Sequence, residues 1–216
     1  MGKGTLRGVT LAGFLIGQSA LAGCGAAPVD LREGPREYVA SDYRSVLRKW
    51  TRSERLNTLE AMDNVLTVSS TYESWDFRWA YAVRYADDYR LSIDERKRLL
   101  DRTLEETHDS FHFYVALYAQ EWKWGDLTLD EPAWIVRLVD DQGNETPPAA
   151  VQAIKRPGAV ERTYYPYTSP WRAAYRITFP KATAAKPSVR TGAKWFGLRF
   201  AGPQGNTTLV WEVEER

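Results

Sequence analysis

The side chains of this 216-residue sequence that could do chemistry fall in four places. They are a single cysteine, Cys24, two histidines, an acidic turn and a run of aromatics between two prolines. His108-x-x-x-His112 is flanked by Glu105, Glu106 and Asp109. Spacing of four puts both imidazoles on one side of a helix, and equally on one side of a strand. With a carboxylate, either geometry could hold one metal ion, but two ligands alone do not make a site. The pair also straddles a predicted helix-to-strand junction, so a surface histidine and a strand histidine is the favoured reading. Asp140, Asp141, Asn144 and Glu145 collect calcium-type oxygens, yet their spacing departs from the EF-hand pattern and suits a polar hairpin turn. A serine–histidine–aspartate constellation needs a histidine as base. No G-x-S-x-G, H-E-x-x-H, Walker loop or G-x-G-x-x-G occurs in the chain. The sequence therefore predicts no catalytic residues, no metal and no cofactor. A metal-dependent hydrolase around His108 and His112 is the least favoured alternative.

The aromatic run is Thr163-Tyr-Tyr-Pro-Tyr-Thr-Ser-Pro-Trp171. Pro166 and Pro170 stiffen it, and Tyr164, Tyr165, Tyr167 and Trp171 project from it. Such a loop could stack on a sugar ring or enter a partner's groove. The plainer reading is an irregular edge strand whose aromatics cover a sheet, with prolines guarding the edge.

Cys24 is read from what precedes it. Residues 1–8 carry Lys3 and Arg7 and no acid. Residues 9–22, VTLAGFLIGQSALA, are apolar but short and glycine-bearing. A membrane-crossing helix needs about 20 apolar residues, so the layout is that of a secretory signal peptide instead. The run ends Leu21-Ala22-Gly23-Cys24, which resembles the bacterial lipobox at every position. That resemblance implies cleavage between Gly23 and Cys24, a diacylglycerol on the cysteine thiol and an acylated new amino terminus. At about 0.8 kcal/mol per buried CH₂, two or more acyl chains hold a protein firmly to a bilayer. Gly25, rather than aspartate, after the cysteine implies the outer membrane in double-membrane bacteria. Residues 24–35 then read as a lipidated tether, whose eleven residues after the cysteine would reach about 36–40 Å fully extended.

The remaining elements follow from periodicity. Tyr43, Val46, Leu47 and Trp50 make one stripe of a helix over 37–50. Thr51-Arg-Ser-Glu54 matches a capping box, predicting a short helix near 52–61. The β-branched run 64–72 predicts a strand. Ser74 can cap a helix over 75–90 that is apolar on most sides, leaving only Asp76, Ala80, Arg84 and Asp87 for water. Ser92-Ile-Asp-Glu95 opens another helix, to about 107, with Leu99, Leu100 and Leu104 inward. From 110 onward the period is two. Phe111, Phe113, Val115 and Leu117 share one face, as do Trp134, Val136 and Leu138. A strand is predicted over 145–155. Ala173, Tyr175, Ile177 and Phe179 point inward, Arg172, Arg176 and Thr178 outward. Phe196, Leu198 and Phe200 follow, then Leu209, Trp211 and Val213.

Helices early and strands late predict an α+β fold, an N-terminal helical layer packed on an antiparallel β-sandwich. The strand-rich part resembles immunoglobulin-like sandwiches in architecture, without their Cys-Trp-Cys hallmark. The organisation expected is a signal peptide at 1–23, the tether at 24–35, a mainly helical segment at 36–108 with one strand near 64–72, and the β-sandwich at 109–216. The last two are expected to form one compact domain. At 44% hydrophobic and 13% aromatic, the chain can fill a sizeable core. The formal net charge is +1, and losing Lys3 and Arg7 would bring it to −1. That balance gives no electrostatic case for a nucleic-acid partner. The functional expectation is a lipid-anchored envelope protein that docks another envelope protein, with a glycan-binding module as the alternative.

Overall fold

The computed structural model describes residues 27–57, 63–184 and 186–214. The expected signal peptide and Cys24 lie outside the described residues, as do positions 58–61 of the helix predicted near 52–61.

The first helix, α1 (Tyr43–Trp50), follows a 3-10 turn at Ala40–Asp42 and buries Tyr43, Val46, Leu47 and Trp50, the predicted stripe. It stops where Thr51 turns extended and its hydroxyl donates to the Leu47 carbonyl at 2.7 Å. Residues Thr51–Asn57 form strand β1 instead of the predicted helix. They pair antiparallel with β2 (Asn64–Tyr72), Thr51 opposite Thr71 and Ser53 opposite Ser69. The capping-box sequence misleads here because the Thr51 hydroxyl is engaged by Leu47 and Thr71 rather than by the amide at position 54. One cap contributes only about 1 kcal/mol, less than a full strand ladder gains.

Helix α2 (Trp75–Asp88) begins as predicted, with Ser74 Oγ accepting from the Phe77 amide at 3.1 Å. Asp76 and Ala80, expected in water, are both buried. Asp76 lies inside because its carboxylate is fully engaged. It accepts from Tyr38 Oη at 2.7 Å, Trp50 Nε1 at 2.9 Å and Arg36 Nε at 2.9 Å, with Lys49 Nζ at 3.5 Å. Helix α3 (Ile93–Glu105) opens on the reciprocal Ser92–Glu95 box and buries Leu104 fully, Leu99 and Leu100 only in part.

The remaining strands are β3 (Ser110–Ala119), β4 (Ile135–Asp140), β5 (Glu145–Thr146), β6 (Ala150–Ile154), β7 (Ala173–Pro180), β8 (Trp195–Gly202) and β9 (Gly205–Glu212), with α4 (Ala159–Tyr164) between β6 and β7. They build two antiparallel sheets, a five-stranded one in the order β1-β2-β3-β7-β6 and a four-stranded one in the order β5-β4-β8-β9. The fold is thus a mixed α+β architecture. The single strand predicted over 145–155 is two: β5 stays with β4, Pro147-Pro148 interrupts the ladder, and β6 joins the other sheet. The five-stranded sheet takes β1 and β2 from the first half of the chain and the rest from the second, so it crosses the boundary expected at 108/109.

One face of the five-stranded sheet meets the four-stranded sheet through aromatics. Phe196 and Trp211 stack at 5.6 Å, Phe113 lies 5.5 Å from Trp211, and Tyr72 lies 5.3 Å from Phe196. Trp211 Nε1 donates to the Trp50 carbonyl at 2.9 Å, tying α1 to this core.

The expected tether is shorter than its sequence suggests. Val29 is 0% exposed. Its amide donates to Glu212 O at 2.7 Å and its carbonyl accepts from Glu214 N at 3.0 Å, a parallel bridge beside the end of β9. Trp75 Nε1 donates to Gly34 O, and Lys181 pairs with Glu33. Proline and glycine content reads as a linker, but backbone bonding to an exposed strand edge fixes these residues. No helix among the described residues is long and apolar enough to cross a membrane.

Candidate functional site

The other face of the five-stranded sheet is built of hydroxyls, charges and tyrosines. Antiparallel register brings Thr71, Tyr114 and Arg176 side by side on β2, β3 and β7, with His112 and Thr178 one step along. Glu73 follows Thr71 in the same alternating phase, immediately before the Ser74 cap of α2. Strand geometry therefore delivers its carboxylate to the junction of sheet and helices.

Glu73 is only 8% exposed and Arg78, one turn into α2, 4%. Arg78 Nη2 donates to Glu73 Oε2 at 3.1 Å, and its Nε to the Glu73 carbonyl. Its Nη1 reaches α3, donating to Thr103 O at 2.8 Å and Glu106 Oε2 at 2.5 Å. Tyr165 Oη donates to the second Glu73 oxygen at 2.5 Å. Burial pushes the Glu73 carboxyl upward, but Arg78, then Arg176, then the Tyr165 bond outweigh it and hold the group below its ordinary value. Burial, with Glu73's charge next, pushes the Tyr165 phenol well upward, so it stays protonated as the donor.

Above this floor a cleft of about 280 Å³ opens, lined by Phe77, Tyr81 and Tyr85 of α2, by Arg102 and Glu106 at α3, and by Val160 and Arg176. Arg102 and Arg176 have no carboxylate within 4.0 Å among the described residues, whereas Arg78 has two. Burial lowers the Arg176 pKa but the Glu73 charge, foremost among its neighbours, raises it, and Glu161 has its carboxylate turned to the Gly158 amide at 2.8 Å. An arginine pair beside an aromatic wall is suited to holding a carboxylate bidentately.

The aromatic run is divided by the fold. Its first residues complete α4, which the sequence reading missed, and Tyr164 and Tyr165 are buried. Tyr164 Oη donates to Asp88 Oδ2 at 2.9 Å, and Tyr165 stacks on Tyr114 at 3.9 Å and 6°. Tyr167 is partly buried and bonds Thr71 at 2.7 Å. Trp171 alone stands in solvent. The four do not form one exposed platform, because Asp88, Glu73 and Thr71 draw the hydroxyls of Tyr164, Tyr165 and Tyr167 inward. The histidines also have separate surroundings. His112 Nε2 lies 2.9 Å from Glu106 O and Nδ1 3.4 Å from Thr178 Oγ1, and burial, with Arg78 next, lowers its pKa. His108 is half-exposed, edge-on to Trp75 at 6.0 Å. No group of three metal-type ligands occurs among the described residues. In the turn after β4, Asp140 accepts from the amides of Gln142 and Asn144, the Asn144 side chain and the Arg190 amide, all N–H donors.

Sequence reasoning did not single out Glu73, Arg78, Arg102 or Arg176. The available signal was an acid in phase with Thr71 at a strand end, four residues after Ser69 and directly before a helix cap.

A wider groove of about 930 Å³ runs beside residues 30–32, floored by Leu31, Phe111, Val189 and Val213. Two of its rim charges are paired, Arg32 with Asp30 and Arg190 with Asp141.

No protein-family model matches this chain, and no curated protein matches it. Among solved structures, it is similar to a novel protein of unknown function from Burkholderia pseudomallei K96243. The two are 12% identical with a TM-score of 0.39, over 80% of this chain and 89% of that one.

Proposed function

We propose that this chain is a lipid-anchored envelope protein, held to the membrane through Cys24, whose body docks another envelope protein without catalysing a reaction. In this reading the residues after the lipobox are short and soon stitched to β9, so the body sits close to the bilayer. Gly25 favours the outer membrane. The two sheets form an immunoglobulin-like sandwich, and the helices cover its polar face as a docking layer. One observation carries the docking half: Arg102 and Arg176 face an open cleft without a paired acid, while Glu73 beneath them is locked between Arg78 and Tyr165. Glu73 and Glu106 are both taken up by Arg78, so a partner's acidic side chain or chain end would give Arg102 and Arg176 the partner they lack among the described residues. A carboxylate held ionised and doubly bonded is poorly placed for proton transfer, which favours binding over turnover.

The test is cross-linking in intact cells, with mass spectrometry of what attaches, for the native chain, Arg176→Glu and Cys24→Ala. One stoichiometric protein partner is expected for the native chain and none for Arg176→Glu. Cys24→Ala should leave the membrane pellet. A native polypeptide starting at Met1, or carrying a free thiol at position 24, would sink the anchoring half. A chain that stays solitary, or a partner retained by Arg176→Glu, would sink the docking half.

A further inference from the structure

At the far end of β2 and β3, away from the docking cleft, the polar sheet face holds a second depression of about 240 Å³. Arg55, Thr67, Tyr118, Ser169, Trp171 and Arg172 line it. Trp171 is 82% exposed and Tyr118 37%. An indole that far into water gains little from burial, so packing does not account for it. Arg172 is fixed in place, its Nη1 donating to Ser69 Oγ at 3.0 Å and to Tyr167 O at 3.4 Å. Arg55 is its close neighbour, near enough that burial first and the Arg55 charge second push the Arg172 pKa down. Neither arginine has a carboxylate within 4.0 Å among the described residues.

Two neighbouring guanidiniums repel each other, and an anion between them removes that repulsion while making charge-assisted hydrogen bonds. The open face of Trp171 beside them adds a flat apolar platform on which a sugar ring can stack. We propose that Trp171, Tyr118, Arg55 and Arg172 form a binding site for an acidic sugar, its ring on the indole and its anionic group on the two arginines. Tyr164, Tyr165 and Tyr167 take no part beyond holding Arg172 and the segment that carries Trp171. The anionic group can be a ring carboxylate or a phosphate ester, since both accept two arginines. The site stands independently of the docking cleft and of the membrane anchor.

Isothermal titration calorimetry on the chain from Cys24 onward tests this, with trigalacturonate, glucose 1-phosphate, neutral maltotriose and inorganic phosphate as ligands. At least one acidic sugar is expected to bind, and which one does identifies the carboxylate or the phosphate as the natural group. Maltotriose and inorganic phosphate should each bind at least about tenfold more weakly, because each offers only half of the recognition. Trp171→Ala and Arg55→Gln, both at exposed positions, should weaken the acidic sugar by about tenfold without moving the melting temperature. Arg172→Gln should do the same, with thermal melting checking that its contacts to Ser69 and Tyr167 are not needed for folding. Equal affinity for maltotriose would overturn the role of charge, and undiminished binding by Trp171→Ala would overturn the site. No heat from either acidic sugar would overturn the proposal outright.

Discussion

Along β2 the two faces of the five-stranded sheet are both buried, yet they are made of different materials. On β2, Leu66, Val68 and Tyr72 face the second sheet, while Thr67, Ser69 and Thr71 face the other way. The first face meets aromatics and aliphatics, and its stability is dispersion and apolar area, which any shape-compatible side chain can supply in part. The second meets tyrosines and ions joined by hydrogen bonds: Tyr165 Oη donates to Glu73, and hydroxyl pairs link Tyr167 with Thr71 and Tyr114 with Thr168. Inside a protein such a network is worth having only when satisfied, because a half-satisfied one is worse than an apolar core. The contrast teaches that here burial alone does not distinguish core from site. The apolar face holds the fold together, and the polar face fixes the position of charged groups in a cleft.

Three substitutions would break or sharpen that contrast. The largest effect is expected on the apolar face: Phe113→Ala should cost about 3–5 kcal/mol in denaturant unfolding, nearly the same at pH 4 and pH 7. A loss below about 1 kcal/mol would mean the two sheets do not share a packed core there. Tyr165→Phe, on the polar face, should cost about 1–3 kcal/mol at pH 7 by leaving a buried carboxylate oxygen unpaired. This loss should depend on pH. The Glu73 pKa is depressed in the folded state, so its contribution is fully present above the unfolded value near pH 4.5 and is lost as pH falls through the folded one. The gap between wild type and Tyr165→Phe should therefore close on acidification, and a gap unchanged down to pH 3 would show that the phenol does not serve the ionised carboxylate. The smallest effect is expected at Ser70, on the apolar face, whose buried hydroxyl has no hydrogen-bond partner among the described residues. Ser70→Ala should be neutral or stabilising by less than about 1 kcal/mol, because it removes an unmet desolvation cost. A clear destabilisation would reveal a partner for that oxygen and blur the distinction between the faces.

The apolar face was the legible one. Period two from Phe111 to Leu117 and from Ala173 to Phe179 marks strands whose inward residues are what they look like. The stripe of α1 and the Ser92 box of α3 were equally direct, because their causes are local. The polar face was not legible, since Thr, Ser, Tyr and Arg in alternate positions read as solvent-facing until helices are known to cover them. Arg176 does face outward as its position implies, whereas Asp76, on the narrow polar line of α2, is buried by partners that its spacing alone does not reveal. Thr51 misled because its hydroxyl has two uses, and only the neighbouring strand decides between them. Tyr165 covers the sheet as the plainer reading of its run expects, but from the end of a helix rather than an edge strand, and its hydrogen-bond partner, like that of Tyr164, is not visible locally. Their partners, Asp88 and Glu73, lie 76 and 92 residues away in sequence.

Val29 bonds backbone-to-backbone with Glu212 and Glu214, and Arg52 Nη2 reaches Ala27 O at 3.3 Å. A pull applied to the chain ahead of residue 27 is therefore delivered to the end of β9 before α1 feels it. From there the load path runs through Trp211 to Phe196 and Phe113, and through the Trp211 indole to the Trp50 carbonyl at the end of α1. The groups that line the arginine cleft make none of these bonds, so a pull from that side is carried without loading them directly.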